Sequence, residues 1–292
     1  MYEGKIIDCR CRPSTEMFKE QFKAMDKGFE RRWPSSEVGG SLPEWLNKSM
    51  EDFVKEMKEL KMTGVMAGRV GRPGVPNVTN EHLKEIMNKY PGMFIAIGGI
   101  EPGNLKEARA EIKRVANWGF KGIAFSSGSP GDMAPDDSRL YPIYKQLADM
   151  GLVFYVVTSP LYTTTPFSFD RVAADFPDLH IFLAHGGYPL IDELITLVWR
   201  RGNVWYSPDC YQFSPGAQRY VEITNYSAEK PKYVAYPLHF QVLQDRYCFG
   251  SAIPYSSPLK VRVKETLELE WRQEILPKIL YGNAAKLFRL DG

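Results

Sequence analysis

A few arginines, one histidine and one aspartate carry most of the chemistry open to this sequence. Arg10 and Arg12 stand two residues apart near the start, and Arg69 sits in the run Gly68-Arg69-Val70-Gly71-Arg72-Pro73-Gly74. A guanidinium is always charged and offers a planar fork of donors that matches a carboxylate through two parallel hydrogen bonds. Several such forks in one site suit a small anionic substrate with one or two carboxylates. The glycines beside Arg69 let backbone N–H groups approach the same anion. The run lacks the Gly-Lys-Ser/Thr ending of a phosphate-binding loop, so no nucleotide is expected. The rival readings are structural: Arg10 and Arg12 paired with Asp8 or Glu101, and Arg69 and Arg72 on a plain surface loop.

His185 is one of four histidines. Imidazole titrates near neutrality, which makes His185 the candidate general acid or base. Asp209 is the candidate to orient it or to serve as a second proton carrier. Against this stand a buried histidine bonded to a carbonyl and a turn aspartate beside Pro208. Ser251 and Tyr255 are candidate substrate contacts, Tyr255 as a donor to a developing oxyanion. The four cysteines, Cys9, Cys11, Cys210 and Cys248, do not make a disulfide framework in so long a chain. Cys9 and Cys11 read as core packing against helices, and a one-residue register slip would instead make a Cys-x-Cys zinc site. Neither a Gly-x-Ser-x-Gly elbow nor a His-Glu-x-x-His helix occurs.

The elements that must hold these residues follow from hydrophobic periodicity. Strand-like runs at Lys5–Arg10, Gly64–Arg69, Met93–Ile100, Gly122–Phe125, Leu152–Val157, His180–Ala184, Val204–Tyr206 and Tyr247–Phe249 alternate with amphipathic helical runs. The helices are expected over 44–61, 80–89, 105–118, 139–150, 170–176 and 190–200, with helical material to about 243 and C-terminal helices after it. Eight strand–helix units within 292 residues predict an α/β fold, a single (β/α)8 TIM barrel spanning 1–292. The stretch 13–43 is too long for a plain connection and is expected as a long loop, a lid over the barrel mouth. Alternation along the first strand puts Asp8, Arg10 and Arg12 on one face and the two cysteines on the other. In such a barrel, function gathers at the C-terminal strand ends, where Arg10, Arg12, Arg69, His185, Asp209 and Ser251 all fall.

Composition narrows the partners. Net charge is +2 with acidic and basic residues well mixed, which gives no footing for a nucleic acid. No apolar run approaches the roughly 18 residues of a membrane span, and the N-terminus does not resemble a signal peptide. A soluble, cytoplasmic protein is expected.

Four segments resemble the amidohydrolase superfamily. Ile6-Ile7-Asp8-Cys9-Arg10-Cys11-Arg12-Pro13 is similar to its Ile-Asp-x-His-x-His-Pro signature. Leu183-Ala184-His185-Gly186-Gly187 and Phe249-Gly250-Ser251-Ala252-Ile253-Pro254 resemble the sixth and eighth strand ends of its decarboxylase-like branch. Tyr281-Gly282-Asn283-Ala284-Ala285-Lys286-Leu287-Phe288 resembles that branch's C-terminal helix. The branch includes aminocarboxymuconate-semialdehyde decarboxylase and γ-resorcylate decarboxylase, which use a divalent metal, and has a metal-free lactonase as a relative. The resemblance implies small organic acids as substrates, hydrolysis or decarboxylation as the reaction, and a homo-oligomer.

The ligand set that the resemblance implies is mostly replaced. Arg10 and Arg12 stand where it has histidines, Val157 or Thr158 where it has the strand-five histidine, and Ala252 where it has the strand-eight aspartate; His185 alone remains. Arginine has no lone pair to give a metal. The reading is therefore a degenerate metal site and a metal-independent hydrolase or decarboxylase-type lyase for a carboxylated aromatic or lactone-like substrate. Arg10, Arg12 and Arg69 would hold the anion, His185 and Asp209 would move protons, and no cofactor is expected. Two alternatives stay open: a non-catalytic metabolite-binding barrel, and a Zn or Mn enzyme with a site rebuilt from His185, Asp209 and a cysteine.

Overall fold

The structure, a computed structural model, describes residues 2–29, 42–71, 74–125, 133–158, 165–188, 190–209, 240–254, 258–268, 272 and 274–290. Seven short strands carry the frame: β1 (Ile6–Asp8), β2 (Met62–Ala67), β3 (Phe94–Gly99), β4 (Gly122–Ala124), β5 (Val153–Val157), β6 (Ile181–Ala184) and β7 (Val204–Ser207). They pair in parallel and in chain order, β1 to β7. The eighth position is taken by residues 246–249. The Tyr206 N–H donates to the Arg246 carbonyl at 3.0 Å and the Cys248 N–H to the Tyr206 carbonyl at 2.8 Å, while the Cys9 N–H donates to the Phe249 carbonyl at 2.9 Å. One segment thus bonds to β7 on one side and to the end of β1 on the other, and the ring is a TIM barrel. The expected Tyr247–Phe249 strand is present in place, as a single parallel bridge between Tyr206 and Tyr247.

Two apolar layers follow from the period of two. Val153, Tyr155, Phe182, Ala184 and Trp205 point into the barrel, whereas Phe154, Val156, Ile181, Leu183 and Val204 face the helices outside. Eleven α-helices are described: α1 (Glu16–Phe29), α2 (Leu42–Asn47), α3 (Met50–Glu59), α4 (Asn80–Lys89), α5 (Leu105–Asn117), α6 (Tyr141–Asp149), α7 (Asp170–Asp175), α8 (Ile191–Arg200), α9 (Gln241–Gln244), α10 (Leu259–Glu268) and α11 (Asn283–Leu287). Ala284, Ala285, Leu287 and Phe288 join the inner layer, so α11 plugs the end of the barrel opposite the mouth. No helix among the described residues is long and apolar enough to cross a membrane.

The long stretch 13–43 contains α1, which fills about half of it; Phe18 and Phe22, four apart, are both buried and give the helix an apolar face. Residues 30–41 lie outside the described residues. Two expectations are corrected here. The single helix expected over 44–61 breaks at Ser49, whose hydroxyl accepts from the Asp52 N–H at 3.0 Å and caps α3. The cysteines do not share a face. Cys9 lies in the inner layer, whereas Cys11 faces outward and, with Met57, fills the space a Cβ on Gly64 would need. The physical reason is that β1 ends at Asp8, so strand alternation does not carry past a turn at residues 9 and 10. Helical material expected between 210 and 239 lies outside the described residues, and α9 follows it.

Candidate active site

The β6 strand delivers His185 to the mouth, and β7 delivers Asp209 beside it. The imidazole Nδ1 lies 2.6 Å from Asp209 Oδ1, and the His185 backbone N–H donates to Oδ2 at 2.9 Å. Both residues are buried. Burial by itself would raise the Asp209 carboxyl, but His185 and the nearby charge of Arg10 hold it well below the usual carboxylate range. Burial pushes the His185 imidazole down, with Arg10 and Arg12 acting in the same direction and Asp209 against them. The pair is therefore a carboxylate beside a neutral imidazole. A nitrogen 2.6 Å from an ionised carboxylate oxygen carries the proton, so Nδ1 is the donor and Nε2 holds the lone pair.

Both residues reach this geometry through unfavourable backbone. His185 has φ +64° and Asp209 φ +36°, and Ala252, after the eighth segment, has φ +55°. Positive φ in non-glycine residues costs energy and gathers where side chains are held for a task.

Across the mouth, Arg10 and Arg12 follow β1 and are both buried. The Arg12 guanidinium donates to the Ile253 carbonyl at 2.7 Å and lies 5.1 Å from the centre of the Phe22 ring. The Trp45 indole N–H donates to the Arg12 carbonyl at 3.1 Å, so α1 and α2 both fix this arginine. Arg69 follows β2. It exchanges two backbone hydrogen bonds with Val78, of 3.0 and 2.8 Å, that close the glycine-rich run into a loop. Within that loop Gly71 has φ +74°, and the Glu101 carboxylate occupies the place where a side chain would begin.

The three arginines meet around one cavity of about 50 Å³. Phe125, Tyr155, Ala124, Ala67 and Val157 form its walls, and Phe18 and Gln21 of α1 lie over it. No carboxylate is among the described lining residues. Tyr155 donates to the Cys9 carbonyl at 2.8 Å, and burial pushes its phenol up to about 12, so it stays protonated. His185 and Asp209 lie outside this lining. Arg10 links the two groups, because it lines the cavity and its charge lowers both members of the pair.

Ser251 is fully buried. Its N–H and hydroxyl donate to Asp8 at 2.7 and 2.6 Å, and the Ile253 N–H donates to its hydroxyl at 3.1 Å. The Arg10 N–H also donates to Asp8, at 3.0 Å. Burial pushes the Asp8 carboxyl up against these bonds and against Arg12. Asp8 thus ties the end of β1 to the loop after the eighth segment and fixes the backbone from which Arg10 extends. Sequence reading named Asp8 only as a partner for the arginines. It passed over Phe18, Gln21, Phe125 and Tyr155; Tyr155 was open to discovery, since it lies two residues before the end of an inward-alternating strand. Tyr255, Arg72 and Cys210 lie outside the described residues.

The sequence model of a family described as Amidohydrolase matches residues 7–290. No curated protein sequence matches the chain. Among solved structures, an uncharacterized TIM-barrel protein from Bordetella bronchiseptica is 29% identical, with 98% of this chain and 99% of that one covered and a TM-score of 0.79. A 5-carboxyvanillate decarboxylase from Novosphingobium aromaticivorans, complexed with manganese and a nitrobenzoic acid, is 18% identical over 98% and 96%, with a TM-score of 0.68. A probable 2-pyrone-4,6-dicarboxylic acid hydrolase from Acinetobacter baumannii, with citric acid bound, is 13% identical over 82% and 88%, with a TM-score of 0.59.

These neighbours correct one expectation. The sequence reading expected no cofactor, with Zn or Mn as the alternative, whereas the 5-carboxyvanillate decarboxylase of this fold is complexed with manganese. The donors at the described mouth do not fit such an ion. No group of three or more His, Cys, Asp or Glu side chains converges among the described residues. Asp209 is turned to His185, and the guanidiniums of Arg10 and Arg12 have no lone pair to offer. The site rebuilt from His185, Asp209 and a cysteine is not formed among the described residues either.

Proposed function

This chain belongs to the amidohydrolase family, and from that premise we propose that it is an enzyme of the hydrolase or decarboxylase kind acting on a small carboxylated substrate. The observation that carries the reading is the convergence of Arg10, Arg12 and Arg69 on one cavity with aromatic walls and no carboxylate among its described lining. Guanidiniums in a water-poor cavity bind a carboxylate through charge-assisted bonds, and Phe125 and Tyr155 suit a flat ring beside it. Two fold neighbours have names of this kind, a carboxyvanillate decarboxylase and a pyrone dicarboxylic acid hydrolase.

In this reading His185 moves the proton. Its Nε2 lone pair takes one from water or from a substrate hydroxyl, and Asp209 stabilises the imidazolium that forms. Hydrolysis develops negative charge on a carbonyl oxygen. Loss of CO2 leaves an electron pair on the substrate, which is delocalised and then protonated. Arg10 stands beside both the cavity and the imidazole, placed to stabilise that charge.

A panel of aromatic carboxylates and lactone carboxylates, followed by product analysis, tests the assignment. Turnover that is lost in His185→Ala and weakened in Arg10→Ala is the expected result. Tight binding of a carboxylate with no turnover of any panel member would place the chain among metabolite-binding barrels instead.

A further inference from the structure

Thr158 immediately follows β5 and is buried. Its backbone N–H donates to the Ala184 carbonyl at 3.0 Å, and its hydroxyl donates to the same carbonyl at 2.7 Å. The Gly187 N–H in turn donates to that hydroxyl at 2.8 Å. Ala184 and Gly187 bracket His185 and Gly186. The bracketed turn is a run of three left-handed residues, with φ +64° at His185, +53° at Gly186 and +71° at Gly187. Gly186 and Gly187 adopt such φ values readily, but His185 sits in a region sparsely populated by residues with a side chain, and the surroundings must impose it. One hydroxyl on the neighbouring strand uses its proton at the entrance of the turn and a lone pair at its exit.

We propose that Thr158 is a positioning residue that clamps the left-handed turn and so holds the His185 imidazole against Asp209. The described hydrogen bonds of its hydroxyl go to the Ala184 carbonyl and the Gly187 N–H, not to the ring or the carboxylate. It acts through the two backbone groups on either side of His185. A valine has the same shape and keeps the packing, but it leaves the buried Gly187 N–H without its acceptor. The turn then relaxes toward ordinary φ values, and the 2.6 Å contact between Nδ1 and Oδ1 is the first distance to change. The kinetic part of the inference rests on the proposed role of His185; the structural part does not.

The test is proton NMR of the whole chain together with steady-state kinetics. In the wild type, the His185 Nδ1 proton shared with Asp209 should give a slowly exchanging, far-downfield resonance, absent in Asp209→Asn. Thr158→Val should broaden or remove that resonance and lower kcat roughly ten- to hundredfold with little change in KM. Thr158→Ser, which keeps the hydroxyl, should restore both. If Thr158→Val does not fold, Thr158→Ala removes the same hydroxyl and is held to the same outcomes. A lowered Tm with the resonance and kcat unchanged would overturn the inference and leave Thr158 a packing residue. If His185→Ala retains turnover, the proposed chemistry fails, while the resonance still decides whether Thr158 positions the ring.

Discussion

The two sides of the barrel mouth are built on different principles. On the side of β1 and β2, Arg10, Arg12 and Arg69 extend from backbone with no positive φ, and a carbonyl and an aromatic ring fix Arg12. On the side of β6 and β7, His185 and Asp209 both sit at positive φ and are fixed by each other. Long cations need only a direction and a place for their stems, so ordinary strand ends serve them. A proton-transfer pair needs tenths of an ångström, and the backbone there is bent to provide it. In the proposed reading the first side binds and the second transfers the proton, with Arg10 shared between them.

Substitutions should separate the sides. The largest effect is expected from Asp209→Asn, which removes the ionised partner of Nδ1 and turns the imidazole to the wrong tautomer. The kcat should fall by roughly a thousandfold or more with KM nearly constant, measured by initial rates. A loss of less than about tenfold would break the division between the two sides. Arg12→Ala should act on binding instead. Losing a charge-assisted bond to the carboxylate costs about 2 kcal/mol, roughly 30-fold in affinity by titration calorimetry. A matching fall in kcat with unchanged affinity would put Arg12 on the wrong side of the comparison.

Acid sharpens the same contrast. With the neutral imidazole as the working form in the proposed mechanism, the acid limb of the rate profile is expected below about pH 6.5, because burial holds the His185 value under the ordinary one. Arg10→Ala removes a neighbouring positive charge that disfavours the imidazolium, so the limb should move to higher pH. A limb that stays in place would remove Arg10 from the proton side. Stability follows the same sign. Both His185 and Asp209 have folded values below their unfolded ones, so the unfolded chain binds more protons as pH falls. The contribution of His185 is lost below about pH 6.5 and that of Asp209 below about pH 4, read as falling Tm in wild type and, in Asp209→Asn, a flatter fall below about pH 4. The smallest effect is a control outside the cavity lining: Ser49→Ala should cost α3 about 1 kcal/mol by denaturant titration and leave kcat unchanged.

How much of this was legible in the sequence varies with range. The order of strands and helices was readable because alternation and helical spacing are local, and the eighth strand was placed by the residues that end it. His185 and Asp209 were nameable from strand-end position, yet nothing in their 24-residue separation announces a 2.6 Å contact. Asp8 and Ser251 lie 243 residues apart and meet only because the barrel closes. The stretch over the mouth was expected as a lid, but its helix was not named although Phe18 and Phe22 stand at helical spacing, because the polar residues around them read as loop. The cysteine faces went wrong for a different reason: alternation was carried past the end of a three-residue strand.

The most direct test is calorimetric titration of the wild-type chain with aromatic carboxylates and with the corresponding uncharged amides. Carboxylates should bind at least about tenfold more tightly than their amides, and Arg10→Ala combined with Arg12→Ala should erase that preference. Equal affinity for acid and amide, or a preference that survives loss of both arginines, would contradict the assignment of this cavity to a carboxylate.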